Sequence, residues 1–515
     1  MFLLVSVLCP IPQLFARLVD DFPAFPPEDV TNVMDMQQMA AQLGVTFPYL
    51  LEHREDPNRP DHVVPTDSSY KYWTDVEGYA PNSPANYHVK RSQWGEWTNF
   101  TEDPARLGNY SPLDPLKYKN GKAVKNVRSW ENKRSKEIFE LCQREVWGVI
   151  PKEAGNLKVV WTEDSNTNDV WRMLDEPSNG KSNFVQRLGE KIKGRKSSDI
   201  PYRIVQMTGS VDTSFYPEIR HQPKIAVRLY QPAVSKPTPV IIQLCSSLAS
   251  EPDPVVLEEL FVRGWGYMLF DCTQLQPDNG KYMTDYLVGL LNKGNWRKPE
   301  DWGAMVAWSW GISRIIDHCT AIKSIDEKKI GVTGHSRYGK TSLVAMVYEP
   351  RLAIAYVSCS GCLGAAPMRT NYGENLEVMA SEGSYFWASG NIFKWVGLEK
   401  ANRTTLRQEN YQMPRKREEM PVDAHFLLAL VAPRPIFINA GTTDYWANPM
   451  GMYCTCRDAS PVYHLYGLSG LVMQDRAPIP DKEYIDGEIG FRLHTGGHTD
   501  RLDWPTFITF AEKYF

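Results

Sequence analysis

The sequence predicts an α/β protein: a mainly parallel sheet covered on both faces by helices, with an irregular N-terminal extension. Three observations carry that expectation. Continuous apolar runs such as PVIIQLC, KIGVT and RPIFINA have the composition of strands buried on both faces. Segments with apolar residues at helical spacing, VVLEELFVRG and AMVAWSWGISRIID among them, separate those runs. Strand and helix therefore alternate, as they must when each crossover between parallel strands returns over one face of the sheet.

Taken in order, residues 1–19 read as a degenerate leader, with an apolar run from Phe2 to Cys9 and no Lys or Arg before it. Residues 20–107 are rich in Pro, Asn, Asp and aromatics, as in DDFPAFPPEDV and EGYAPNSPANYH. They predict an irregular extension with one short helix near Val33–Leu43, held to the body by its aromatics. Residues 108–515 form the expected main domain. Its first element is an amphipathic helix over 126–148. KIAVRLYQP alternates as a half-buried strand, PVIIQLC is a buried one, VVLEELFVRG is a helix closed by glycine, and WGYMLFD is again a strand. A long buried helix is expected to open at Pro299-Glu300-Asp301. KIGVT, a helix from about Gly339 to Tyr348, and RLAIAYVS follow. After a long insertion RPIFINA and PVYHLYGL are expected strands, and DWPTFITFAEKYF is a closing helix capped by Asp503.

Bulk properties narrow the function. With 42% hydrophobic and 23% charged residues the chain can build a large core, and a net charge of −4 sets up no field toward nucleic acid or an anionic membrane. The basic run Lys191–Lys196 reads as a solvated loop. No apolar stretch reaches the roughly 18 residues that cross a bilayer. Neither nucleic acid nor membrane is an expected partner, and the sequence leaves the oligomeric state unknown. Nine cysteines are too scattered for a disulfide scaffold.

Residues 331–342, GVTGHSRYGKTS, satisfy two incompatible motifs. From Gly334 they spell G-x-x-x-x-G-K-T, a phosphate-cradling loop. Centred on Ser336 they spell G-x-S-x-x-G, one residue longer than the turn that exposes a serine nucleophile. A phosphate loop works through backbone N–H groups and favours small central residues, whereas His335, Arg337 and Tyr338 are bulky. The nucleophile reading makes further demands that the chain meets. Asp444 lies just past RPIFINA, and His498 lies in a glycine-flanked loop before the last helix. The order Ser336, Asp444, His498, each after a strand, is that of an α/β-hydrolase, a three-layer sandwich around a mainly parallel sheet. The Arg337 N–H supplies one oxyanion donor. The loop LCSSLASEP, the usual second source, has no glycine, which points to the Arg337 guanidinium as a further donor. Lys340, one helical turn on from Ser336, is expected to face the same mouth. A helical metal site from His494 and His498 would need a helix through Gly496-Gly497, so no metal is expected.

At these residues the chain resembles a known family. GHSRYGK is similar to the G-x-S-R-x-G-K motif of the glucuronoyl esterases, carbohydrate esterase family 15. PEDWGAMVAWSWGISRIID, SGCLGAAPMRTNYGE, PVDAHFLLALVAPRP, GTTDYWANP and the final GGH extend the likeness over roughly 108–515. It looks closer to the bacterial branch than to the fungal one. The resemblance implies cleavage of esters between 4-O-methyl-glucuronic acid of glucuronoxylan and lignin alcohols, without a cofactor. It implies Ser336 as nucleophile, His498 as base, Arg337 as oxyanion donor, Lys340 on glucuronate hydroxyls, and Glu374 and Trp446 lining the sugar site. A secreted or periplasmic location follows from the polymeric substrate. One departure stands out: many members carry E-S-G after the next strand, and this chain has Cys359-Ser360-Gly361. The acid's role should then fall to Asp444. The alternatives are another carbohydrate esterase, of the acetyl-xylan type, and a non-catalytic carbohydrate-binding relative.

Overall fold

The structure, a computed structural model, describes residues 22–44, 88–91, 93, 97–100, 102, 112–164, 171–172, 200–370, 372–396 and 417–515. The expected leader and the run Lys191–Lys196 lie outside them. Strands β1 (His88–Arg91) and β2 (Trp97–Phe100) form an antiparallel ribbon. All other strands among the described residues join one sheet: β3 (Val159–Glu163), β4 (Trp171–Arg172), β5 (Tyr202–Val211), β6 (Lys224–Pro232), β7 (Thr238–Cys245), β8 (Gly266–Asp271), β9 (Ile325–His335), β10 (Ile354–Ser358), β11 (Ile436–Gly441), β12 (Glu483–Tyr484) and β13 (Ile489–His494).

Across this sheet the order is β12-β13-β11-β10-β9-β7-β8-β6-β5-β3, with β4 beside β5. From β13 to β8 every pairing is parallel. Pairings outward of these two, to β12 on one side and through β6, β5, β4 and β3 on the other, are antiparallel. This is an α/β-hydrolase sheet, and the predicted three-layer class is observed.

Two cores flank it. β10 shows how: Ala355 and Val357 point into the larger core, with helices Ala304–Cys319 and Arg337–Tyr348. Ile354 and Tyr356 point the other way, onto helices Pro254–Val262 and Trp504–Ala511. Alternate side chains leave opposite faces of a strand, so a strand covered on both faces must be apolar throughout.

Four details differ from expectation. PVYHLYGL is not a strand: residues through Leu465 complete the helix Pro449–Leu465. Cys456, Ala459, Ser460 and Tyr463 are buried at helical spacing, and the Tyr463 hydroxyl donates to the Arg434 carbonyl at 2.9 Å. That burial outweighs the hydrogen bond lost at Pro461. The helix expected from Pro299 begins only at Ala304, after Gly303. Asp301 instead closes a turn, accepting from the Lys298 N–H at 2.7 Å. Asp503 precedes the last helix, but its carboxylate makes no cap and turns to His494 at 2.6 Å. The 126–148 helix is interrupted by π-turns at Trp130–Arg134 and Gln143–Trp147, and ends at Gly148.

In the extension, helix Asn32–Gln42 is capped by Thr31, whose hydroxyl accepts from the Met34 N–H. It buries Met36 and Met39 in the main core. Among described residues no helix is long and apolar enough to cross a membrane.

Candidate functional site

Three strand ends converge at the carboxyl edge of the parallel strands, where open α/β sheets bind their ligands. β9 ends at His335, and Ser336 follows with φ 59° and ψ −123° before the helix opens at Arg337. That backbone is costly for a residue with a side chain, and it lifts the hydroxyl clear of strand and helix. The flanking glycines make the turn possible. A methyl on Gly334 would lie 2.3 Å from the Tyr338 carbonyl oxygen, and one on Gly339 2.4 Å from that of Ser358. The Ser336 N–H donates to the Ser358 carbonyl at 2.9 Å, tying the turn to β10. The spacing G-x-S-x-x-G is thus a steric requirement of this elbow.

Asp444 follows β11 and His498 follows β13. Their loops are laced together: the Thr442 N–H donates to the His494 carbonyl and the Thr443 N–H to that of Gly496, both at 2.9 Å. Gly441 permits this approach, since a methyl there would lie 2.2 Å from the Gly497 carbonyl oxygen. His498 Nδ1 and Asp444 Oδ2 are 2.7 Å apart. Asp444 is fully buried, and its other oxygen, Oδ1, has no hydrogen-bond partner. The His335 ring lies 4.2 Å from that of His498. Burial, with the neighbouring His498 and His494 charges, lowers the His335 pKa to about 3. This imidazole is neutral, bonded to the Ser358 hydroxyl at 3.0 Å.

Arg337 is placed differently from the simplest expectation. Its guanidinium bonds Asp278 Oδ2 at 2.5 Å and lies over the Trp387 ring, 5.0 Å from the centroid. The Trp387 indole N–H donates to the other Asp278 oxygen at 2.6 Å. Lys340 is buried, its ammonium bonded to the Ser360 carbonyl and to Glu374. Gly361, with φ 61°, leaves room for that pair. The Glu374 N–H donates to the Trp446 carbonyl at 2.5 Å. Lys340, Glu374 and Trp446, distant in sequence, are therefore linked beside the Ser336 helix.

Sequence reasoning missed Asp278 and Trp387, which hold Arg337, and Gln93, whose side-chain oxygen accepts from the His498 N–H at 2.6 Å. Asp278 sits in the turn sequence QPDNG, which gives no chemical signal. Cys359, where the resemblance implied a glutamate, Asp444 and His498 each bring a ligand atom within 4.8 Å of the others.

A family model described as "Glucuronyl esterase, fungi" matches residues 221–467. The chain is similar to the glucuronoyl esterases over much of its length. Carbohydrate esterase MZ0003 from an unknown prokaryotic organism is 27% identical over 81% of this chain and 92% of its own length. The 4-O-methyl-glucuronoyl methylesterase of Hypocrea jecorina is 33% identical, but over only 32% of this chain and 34% of its own length. The fold of the Teredinibacter turnerae T7901 glucuronoyl esterase superposes with a TM-score of 0.68 at 24% identity, covering 94% of this chain and 99% of that one. The glucuronoyl esterase of Solibacter usitatus gives 0.62 at 26% identity, over 80% and 100%.

Proposed function

We propose that this protein is a glucuronoyl esterase of carbohydrate esterase family 15, a serine carboxylic ester hydrolase that cleaves glucuronoyl esters, those joining 4-O-methyl-glucuronic acid side chains of xylan to lignin alcohols. The observation that carries this reading is the 2.7 Å His498–Asp444 bond on the loops flanking an elbow that presents Ser336. Beside it lies the buried Lys340–Glu374 pair, which supplies polar atoms for a sugar acid and would have no task with an acetyl group.

His498, oriented by Asp444, takes the Ser336 proton as the hydroxyl oxygen attacks the uronoyl carbonyl. The Arg337 N–H receives the oxyanion, and its guanidinium, steered by Asp278, lends positive charge to the same side. Collapse of the tetrahedral adduct expels the alcohol, protonated by His498. Water then gives a proton to His498, attacks the acyl-serine and releases the uronic acid with Ser336 restored. Lys340, Glu374 and Trp446 hold the sugar ring. The polymeric substrate places the enzyme outside the cytoplasm. The main domain, 108–515, carries every one of these groups, and the extension braces it.

Hydrolysis of benzyl glucuronate beside an acetyl ester, with Ser336→Ala as control, tests the reading. Uronate ester cleavage that falls by about four orders of magnitude or more in the variant is expected. Cleavage of the acetyl ester alone would overturn the substrate, and equal rates in wild type and variant would overturn the nucleophile.

A further inference from the structure

We propose that Cys359, Asp444 and His498 form a binding site for a thiophilic divalent cation, Zn²⁺ above all, and that its occupation switches the enzyme off. The off-state rests on the catalytic reading above; the binding does not. Sequence spacing alone argued against metal at His494 and His498, yet the fold assembles a different set. Sγ of Cys359, a carboxylate oxygen of Asp444 and a ring nitrogen of His498 lie within 4.8 Å of one another. Thiolate, carboxylate and imidazole are all ordinary zinc ligands, bound at about 2.0–2.3 Å in a tetrahedral arrangement. The cluster must shorten its longest edge and open the 2.7 Å Nδ1–Oδ2 edge to reach it.

A second observation points to a ligand. Asp444 Oδ1 is buried with no hydrogen-bond partner, a position that normally demands compensation. A cation between the three side chains would supply it. Charge supports the same site. With a neutral thiol and imidazole the buried cluster carries one net negative charge. On binding, the Cys359 thiol releases its proton to solvent, and the His498 ring proton passes through solvent from Nδ1 to Nε2, so that the ring stays neutral. Zn²⁺ with one thiolate, one carboxylate and neutral imidazole then sums to zero, the state burial favours.

Blockade of catalysis follows from imidazole chemistry. A metal on Nδ1 leaves the ring's remaining proton on Nε2, so Nε2 cannot take the Ser336 proton. The Asp444 bond that orients the ring is also replaced. Family members with glutamate at the Cys359 position would offer only oxygen and nitrogen there, a harder and weaker set for zinc. Metal sensitivity would therefore be a property of this chain's cysteine.

Equilibrium dialysis of the full chain with Zn²⁺ tests binding. Cd²⁺ is then substituted and the ultraviolet thiolate-to-cadmium charge-transfer band recorded. Benzyl glucuronate hydrolysis is followed over the same Zn²⁺ range, each variant normalised to its own metal-free rate. Wild type is expected to bind one ion that a chelator removes, to show the band, and to lose activity at matching concentrations. Cys359→Ser should weaken binding and inhibition at least about tenfold and lose the band. Cys359→Ala serves if the serine variant does not fold. Absence of zinc binding to wild type, or identical binding in the variants, overturns the site. Binding that leaves hydrolysis untouched overturns the switch. If wild type hydrolyses no uronate ester at all, the functional reading fails while dialysis and the cadmium band still decide the site.

Discussion

Gly334 and Gly339 bracket Ser336 because backbone carbonyls stand where their side chains would be, and that crowding makes a sharp prediction. In Gly339→Ala the new methyl would lie 2.4 Å from the Ser358 carbonyl oxygen, so strand and helix must part. We expect a loss of about 1–3 kcal/mol in urea unfolding and a larger fractional loss of activity, since the displaced element carries the proposed nucleophile. Arg337 gives a second prediction. Under the proposed mechanism the guanidinium adds to the oxyanion donors, and removing such a donor costs about a hundredfold or more in kcat, so Arg337→Ala should lose that much. Asp278→Asn should lose about tenfold through misplacement of the guanidinium, and nothing further in an Arg337→Ala background. A further loss there would give Asp278 an independent role. The third concerns pH. His335 stays neutral in the folded state down to about 3, against 6.5 unperturbed. Between those values the unfolded chain binds the extra proton, so His335 withdraws stability as pH falls. His494 works in the opposite direction. Burial lowers its pKa, but the Asp503 bond and charge prevail and raise it. Its stabilisation is complete below 6.5 and is lost as pH rises through the raised folded value. Unfolding free energies from pH 8 to 4 should show a shallower acid decline in His335→Gln than in wild type, and parallel curves would refute this assignment.

Helix Asn32–Gln42 shows how an element from an irregular stretch joins the main core. Met39 fits against Gly390 so closely that a methyl there would lie 2.1 Å from its sulfur. Asp35 is buried, and burial raises its pKa against the lowering effects of Arg297 and Tyr385. The Tyr385 hydroxyl donates to its carboxylate at 2.7 Å. Truncating a buried methionine to alanine costs about 2–5 kcal/mol. Met39→Ala should therefore lower stability by that amount in denaturant titration while leaving KM unchanged, because the helix touches none of the proposed sugar-binding residues. Helix Pro449–Leu465 teaches the converse about proline. Pro461 splits the stretch when read locally, yet burial of Cys456, Ala459 and Tyr463 on one face holds the helix through it.

At the scale of the whole molecule, the extension and the main domain share surfaces at the site itself. Phe100 of the β1–β2 ribbon is buried against Tyr445, ring centroids 4.0 Å apart, next to Asp444. Gln93 bonds the His498 N–H. A fragment of residues 108–515 would lose both contacts and the Asn32–Gln42 helix together. We expect it to melt several degrees below the full chain, since about 1 kcal/mol shifts Tm by about 2 °C or more at this size, and to hydrolyse benzyl glucuronate with reduced kcat. Equal Tm and kcat would show the extension to be an independent appendage.

The sequence by itself determined the sheet's class, most of its strands, and the order Ser336, Asp444, His498, because buried strands must be apolar and a nucleophile elbow needs glycine at fixed offsets. Lys340 was legible from its place one helical turn after Ser336, whereas Glu374 and Trp446 entered only through resemblance, since nothing local marks a side chain for sugar binding. What tertiary structure alone decided depends on contacts between residues far apart in the chain. Asp278 meets Arg337 across a turn that looks ordinary, and Asp503 abandons the cap its position suggests because His494 offers a buried charge-assisted bond. Gln93 reaches His498 from the extension, and Cys359 joins Asp444 and His498 only when three strand ends converge. Propensity and spacing describe what a segment can do alone. Which partner a polar group finds when the sheet closes is set by the whole fold.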